Sequence, residues 1–143
     1  MTVVNRTALV LHTSEQMFDL INDVRRYPEF LPWCSGTSVV SESADVLEAT
    51  LKLSKGGLGY HFTTRNELVR PHSMRIGLVD GPFKRLEGVW TFTSLSEEAC
   101  KVELNLSFEF EGKLTGMAMS KVFNGVATTL VDAFVARADQ IYG

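Results

Sequence analysis

The chain has few of the residues from which disulfide scaffolds, metal centres and membrane spans are built. Its 143 residues include two cysteines, Cys34 and Cys100, which are too far apart for a CxxC redox or zinc site. The three histidines, His12, His61 and His72, have no cysteine or carboxylate at metal-ligand spacing. No run of about 18 apolar residues occurs, and the N-terminus lacks the apolar core of a signal peptide. These absences predict free structural thiols, no metal centre and a soluble, cytoplasmic chain.

Catalytic motifs are equally scarce. The glycine-rich segment 55–59 lacks the GxxxxGK[ST] spacing of a phosphate-binding loop and lies between two strand patterns, which favours a hairpin turn. No GxSxG nucleophile elbow is present. Glu29 and Glu67 are the best acid/base candidates, although glutamate is most often a solvated surface residue. The sequence therefore predicts a protein that is not an enzyme.

What is present predicts one ordinary folded domain spanning residues 1–143. Hydrophobic residues make up 45% of the chain and charged residues 22%, close to the averages for globular proteins. The net charge is −3, but the segment from residue 49 to residue 86 carries seven cations against two carboxylates. This basic segment fits either a solvated sheet face or a surface for RNA, the ribosome or anionic lipid. Charge alone leaves both interpretations open.

The most informative segment is the octapeptide at residues 27–34, which contains three large aromatic side chains and two prolines. Proline fixes its own φ and disfavours a helical residue before it, so we expect Tyr27 and Leu31 to be extended or in turns. No regular helix is expected to continue through this segment. Its rings either close the end of the core or form the rim of a ligand cavity, and both interpretations stay open.

The N-terminal region reads as a strand followed by a short helix. Residues 7–11 have strand character, and Thr13 with Gln16 forms the pattern of a capping box at a helix start. Apolar residues then recur at helical spacing to about Val24, which predicts one buried helix face. The octapeptide follows directly after this helix.

From Thr37 to Phe110 the apolar residues alternate with a period of two, which predicts six half-buried antiparallel strands. Hairpin-sized breaks fall at residues 43–45, 55–59, 70–73, 80–83 and 96–99. After Gly112 the period becomes helical and continues to Tyr142 without a proline, with Thr115 as a candidate N-cap. Apolar residues cover most of this helix, so we expect a curved antiparallel sheet to wrap around it.

The chain also carries a set of motifs: Tyr27-Pro28-Glu29-Phe30-Leu31-Pro32-Trp33-Cys34, Gly81-Pro82-Phe83-Lys84-Arg85-Leu86-Glu87-Gly88 with Trp90 and Phe92, Phe108-Glu109-Phe110, Leu130-Val131-Asp132-Ala133-Phe134, Arg137-Ala138 and Ile141-Tyr142-Gly143. These motifs and the order of the elements resemble the START-like, helix-grip fold of polyketide cyclases and lipid carriers. Within that superfamily the chain resembles the family of coenzyme Q-binding proteins and ribosome association toxins. The resemblance implies an α+β fold in which a seven-stranded antiparallel sheet curves around a long C-terminal helix. It extends over nearly the whole chain.

The resemblance implies first that the chain binds ubiquinone or another isoprenoid quinone as a non-catalytic carrier in respiratory electron transport. No other cofactor is expected, and peripheral contact with the inner membrane face is one expectation of this reading. The residues implied as ligand-binding form a mouth at Pro28, Phe30, Leu31, Pro32 and Trp33, a sheet wall at Phe83, Leu86 and Trp90, and a helix wall at Phe123, Ala127, Leu130 and Phe134.

The second implied function is that of a toxin, from a toxin–antitoxin system, which binds the large ribosomal subunit and blocks subunit association. The residues assigned to ribosome contact under this alternative come from the basic segment. A third reading is an enzyme of the polyketide cyclase or aromatase type. The sequence does not predict the oligomeric state. The assigned ribosome-contact residues are Lys52, Lys55, Arg65, Lys84 and Arg85.

Overall fold

The computed structural model describes all 143 residues as one sheet and two α-helices joined by short connections. The seven strands form a single antiparallel sheet in the order β1-β7-β6-β5-β4-β3-β2. Every strand except β1 neighbours the strand before or after it in sequence, whereas β1 pairs with β7. The elements are β1 (Thr2–Val10), α1 (Ser14–Asn22), β2 (Cys34–Glu42), β3 (Val46–Lys55), β4 (Leu58–Val69), β5 (Ser73–Asp80), β6 (Phe83–Ser96), β7 (Ala99–Phe110) and α2 (Leu114–Tyr142).

The period-two prediction is confirmed, because six strands fill the segment between Cys34 and Phe110 with connections at the expected breaks. In β7 every even-numbered residue from Cys100 to Phe110 is buried, while the odd-numbered residues are partly exposed. One face of the sheet therefore packs against α1 and α2, and the other face is open to solvent. Thirty-four buried hydrophobic residues form one continuous core between these layers.

Helix α1 begins as the sequence predicts. The Gln16 amide donates to Thr13 Oγ1 at 3.1 Å, and the Thr13 amide donates to Gln16 Oε1 at 2.9 Å, which completes the capping box. The helix ends at Asn22, two residues earlier than expected. Phe18 and Met17 lie on its buried face and join the core.

The prediction for the octapeptide is partly wrong, because a 3-10 helix at Val24–Glu29 includes Tyr27 and Pro28. A 3-10 turn tolerates the fixed φ of proline. The Tyr27 ring is buried, its hydroxyl donates to the carbonyl of Ile21, and it packs edge-on against Phe134 at a centroid distance of 5.4 Å. These contacts hold Tyr27 in a conformation that the following proline disfavours.

Helix α2 begins at Leu114, and Lys113 occupies the capping position without a side-chain hydrogen bond, so the prediction of Thr115 as N-cap is wrong. Gly116 explains the tight entry, because a Cβ at this position would lie 2.8 Å from the carbonyl oxygen of Glu111. At the other end of the helix, buried His12 is 2.7 Å from an Asp139 carboxylate oxygen. Neither α-helix combines the length and hydropathy that crossing a bilayer requires.

Three connections meet at the start of α2. The amide of Glu111 donates to the carbonyl of Pro82 at 2.9 Å, which joins the β7–α2 loop to the β5–β6 turn. A Cβ on Gly56, in the β3–β4 turn, would lie 3.6 Å from a Val122 methyl group. Gly56 has φ of 62°, a value that glycine adopts without strain. The ends of several strands are thereby held against the first turns of α2.

Candidate functional site

A largely apolar cavity of about 90 Å³ lies between the sheet and α2. Of the 19 residues that line it, 17 are hydrophobic, and they come from α1, the 3-10 helix, strands β3 to β7 and α2. The cavity therefore depends on nearly every element of the fold. Its wall on the α2 side consists of Phe123, Val126, Ala127, Leu130 and Phe134.

The cavity lies between two aromatic clusters, one centred on Phe123 and the other on Phe134. Phe123 packs edge-on against Phe108 and Phe83, with ring centroids 4.8 and 5.1 Å away. Phe134 packs edge-on against Trp90 at 5.6 Å and also against the aromatic rings of the 3-10 helix region. Between the two phenylalanines, α2 presents Val126, Ala127 and Leu130 to the cavity, and Ala127 has the smallest side chain of the three.

Two polar side chains of β4, Thr64 and Asn66, interrupt the apolar lining. Thr64 is buried, and the Asn66 side-chain oxygen is shielded from solvent without any hydrogen-bond partner. An unpaired buried polar atom costs about 1–3 kcal/mol, which a ligand that hydrogen-bonds to it would recover. The arrangement suits a mostly apolar molecule that carries one hydrogen-bonding group.

No carboxylate or imidazole lines the cavity. The Tyr27 hydroxyl is already donated to Ile21, and burial raises the pKa of Tyr27 well above its ordinary value, so it holds its proton. Glu67 lies on the exposed face of β4, and Glu29 is about half exposed and paired with Arg137 at 2.7 Å. Neither acid/base candidate from the sequence reaches the cavity.

The structure brings together seven of the twelve side chains that the resemblance implied as ligand-binding. Phe83 instead lies deeper in the core, stacked on Phe110 at 4.2 Å. Leu31 is buried without facing the cavity, Phe30 is half-buried under the guanidinium group of Arg137, and Pro28 and Pro32 are exposed. The octapeptide therefore mainly closes the core beside the cavity. The seven lining residues are Trp33, Leu86, Trp90, Phe123, Ala127, Leu130 and Phe134.

Sequence reasoning missed Thr64 and Asn66. The signal was available, because the inward positions of β4 read Phe62, Thr64, Asn66 and Leu68, and two consecutive polar residues on a buried strand face are unusual. The same alternation also sends Arg65 to the solvent face. Only the three-dimensional pairing of β4 with β5 shows that the polar positions open onto a cavity.

The five residues assigned to ribosome contact are all exposed, but they do not form one patch with uniform charge. Lys52 and Arg65 lie on the solvent face of the sheet, where Arg65 is 3.5 Å from Glu48 and the neighbouring strands add further glutamates. Lys55, Lys84 and Arg85 instead lie at strand ends close to the start of α2. The charge of the basic segment is therefore divided between a mixed face and one end of the molecule.

Comparison with known proteins identifies the family. The family model for polyketide cyclase / dehydrase and lipid transport matches residues 10–135. A ribosome association toxin, RatA, of Vibrio cholerae is 51% identical over 143 residues, covering 100% of this chain and 99% of the relative. A mitochondrial coenzyme Q-binding protein, COQ10 homolog B, of Xenopus laevis is 32% identical over 90% of this chain and 54% of the relative.

Among solved structures, the Zhui aromatase/cyclase of Streptomyces sp. R1128 superposes with a TM-score of 0.86 and covers 99% of this chain and 96% of its own. Its sequence is 15% identical, so this likeness is one of fold. The helix-grip, α+β architecture implied by the sequence resemblance is confirmed.

Proposed function

The chain belongs to the polyketide cyclase / dehydrase and lipid transport family, and we propose that it associates with the ribosome and inhibits translation. The observation that carries this proposal is the 51% identity, over the full length of both chains, with a relative named ribosome association toxin. The expected partner is the large subunit, whose joining to the small subunit the bound protein would block.

The size of the cavity also favours this function over quinone transport. Binding pockets for organic ligands usually measure about 300–1,000 Å³. The cavity in this fold is about 90 Å³, which is too small for a quinone ring with an isoprenoid tail unless side chains of α2 move. A ribosome-binding protein needs no such rearrangement.

Purified ribosomal subunits test the proposal. The protein would be added to large and small subunits before magnesium-driven reassociation, and the products separated on a sucrose gradient. We expect the protein to sediment with the large subunit and to reduce the 70S peak in proportion to its concentration. Normal 70S formation at saturating protein, with no protein in either subunit peak, would overturn the proposal.

A second candidate function is the binding of an apolar ligand, such as ubiquinone, by a carrier that performs no chemistry. The apolar cavity with its unpartnered Asn66 oxygen supports this candidate, as does the Xenopus relative named for coenzyme Q binding. The lack of any carboxylate or imidazole in the cavity wall supports a role without catalysis. A quinone would require side chains that line the cavity to move, because the cavity measures about 90 Å³.

Solvent extraction of the purified protein, followed by mass spectrometry, tests the second candidate. Ala127→Leu fills the gap between the two aromatic clusters without adding charge, and Leu130→Lys places a charge on the same wall. We expect a quinone or other lipid in the wild-type extract and its loss from both variants. An extract from folded wild type that contains no lipid would remove this candidate and leave the ribosome proposal unaffected.

A further inference from the structure

The molecule has one end that is rich in unpaired cations. This cationic end comprises residues 55–58, 80–85 and 109–124, that is, the β3–β4 turn, the β5–β6 turn and the first turns of α2. The Glu111–Pro82 hydrogen bond joins two of these segments, and Gly56 of the third lies so close to α2 that an added Cβ would be 3.6 Å from a Val122 methyl group. Its five cations outnumber its three carboxylates, and they are Lys55, Lys84, Arg85, Lys113 and Lys121.

The opposite, carboxylate-rich end has ten carboxylates and four arginines. It comprises residues 11–29, 42–45, 70–72, 96–98 and 132–143. The chain as a whole is therefore electrically polar along the strand direction, although its net charge is only −3. A polyanion that approaches the molecule would be repelled by one end and attracted by the other.

The two ends also differ in whether their cations form ion pairs with carboxylates. No cation of the cationic end lies within ion-pair distance of a carboxylate. All five of these side chains are exposed. A cation without an ion-pair partner can bind a phosphate without first breaking an internal ion pair, even where a carboxylate lies nearby, as Glu109 does across the ladder from Arg85.

We propose that the cationic end is the surface that binds the ribosome and that it does so through phosphate groups of ribosomal RNA. The inference rests on the proposed function and names the part of the chain that carries it out. Lys113 and Lys121 lie outside the basic segment of the sequence. The Glu111–Pro82 hydrogen bond brings the start of α2 to the turn that precedes Lys84 and Arg85, and Lys113 and Lys121 border one surface groove. The carboxylate-rich end then faces away from the RNA.

The same end exposes two apolar side chains, Leu114 and Met117, at 85% and 72%. Cations around an exposed apolar pair also suit an anionic membrane surface, which is the competing partner. RNA is favoured because the relative with 51% identity over its full length is named for ribosome association. Vesicles therefore form one arm of the test.

The experiment compares three double variants with equal loss of charge. Lys84→Gln with Arg85→Gln and Lys113→Gln with Lys121→Gln neutralise two parts of the cationic end. Arg6→Gln with Arg75→Gln is the control, because both arginines are exposed, have no ion-pair partner and lie inside β1 and β5, outside the segments of the cationic end. Arg75 borders the same groove of the open sheet face as Lys84 and Arg85, so the control distinguishes the cationic end from that face. Binding to isolated large subunits, to their protein-free RNA and to vesicles of anionic phospholipid is measured between 50 and about 200 mM salt.

Each double variant of the cationic end is expected to bind the subunit and its RNA about tenfold more weakly than wild type. The slope of log affinity against log salt concentration should fall by roughly the amount that one to two phosphate contacts contribute. The control should bind like wild type. Wild type that does not bind the subunit would refute the proposed function itself. Normal ribosome binding by both cationic-end variants would leave the function standing and overturn this surface. The surface would also be overturned if the control variant lost as much affinity as the cationic-end variants. Tight binding of wild type to vesicles without binding to RNA would overturn it too.

Discussion

At the carboxylate-rich end all four arginines lie in ion pairs, whereas at the cationic end none of the five cations does. The paired arginines connect segments that are distant in sequence: Arg70 joins the β4–β5 turn to Asp19 of α1, and Arg137 joins α2 to Glu29. Charges at that end therefore help to hold the fold together. At the cationic end, backbone hydrogen bonds and close packing hold the elements, so the charged side chains remain available to a partner.

The largest expected effect tests whether packing holds the cationic end. In Gly116→Ala the new Cβ would lie 2.8 Å from the Glu111 carbonyl oxygen, so the start of α2 must shift, at a cost of about 1–3 kcal/mol. Gly125→Ala is the matched control in the same helix, where a Cβ meets nothing within 4 Å, and it should stabilise by about 0.5–1 kcal/mol. Urea denaturation of both variants measures the difference. Equal stability of the two variants would contradict this account of the cationic end.

A shielded tyrosine hydroxyl lies within the carboxylate-rich end, and another lies next to the cationic end, where the Tyr60 ring packs against Phe83 and Phe110. The Tyr27 hydroxyl donates to the carbonyl of Ile21, whereas the Tyr60 hydroxyl, near the cationic end, has no partner. Tyr27→Phe leaves a buried carbonyl without its donor and should destabilise by about 1–2 kcal/mol. Tyr60→Phe removes only an unsatisfied group and should be neutral or slightly stabilising. Thermal unfolding of the two variants measures their stability. A larger loss of stability in Tyr60→Phe than in Tyr27→Phe would contradict this prediction.

A smaller effect is expected from the ion pairs themselves. Arg137→Met removes the 2.7 Å pair with Glu29 and the cation over the Phe30 ring, at a cost of about 1 kcal/mol. Lys121→Met, at the cationic end, should change stability by less than about 0.5 kcal/mol because that lysine has no internal partner. Chemical denaturation at low and high salt provides the measurement. An equal loss in the free energy of unfolding for Lys121→Met and Arg137→Met would contradict the view that only the carboxylate-rich end uses its cations for stability.

The smallest effect appears at high pH. Burial raises the pKa of Tyr27 above its ordinary value of 10.0, so the folded state keeps this proton after the unfolded chain has lost it. The stability that this group contributes is therefore fully present below pH 10 and declines above it. At about pH 10.5 the loss should be below about 1 kcal/mol, and Tyr27→Phe should show a shallower alkaline decline than wild type. Identical slopes would show that Tyr27 is not the source.

The sequence predicted the sheet and both helices because their signals are local. Alternation in Lys101 to Phe110 and the capping box at Thr13 each depend on residues a few positions apart, and the structure agrees with both. The start of α2 was harder, because Gly116 suggests a weak helix by propensity. Glycine is required at this position because the Gly116 backbone lies close to the carbonyl of Glu111, and this proximity exists only in the folded loop.

The candidate site was only partly accessible from sequence for a similar reason. The family resemblance predicted seven of the residues that line the cavity. The position of the cavity beside Ala127, however, depends on how sheet residues pack against Phe123 and Phe134, which the sequence does not show. The cationic end was not predicted, since Lys113 lies 28 residues after Arg85 and belongs to a different element. Net charge along a segment of sequence does not reveal which side chains the fold leaves unpaired.

The pairing of β1 with β7 has a consequence for how the chain is made. The only partner of β1 is β7, which is separated from it by all the other strands in sequence, and α2, which covers the core, follows β7. Long-range pairing of this kind forms late, because the intervening chain must first be available. β1 therefore has no partner until β7 has left the exit tunnel. A nascent chain that stops before β7 has neither the complete sheet nor the helix that covers its core.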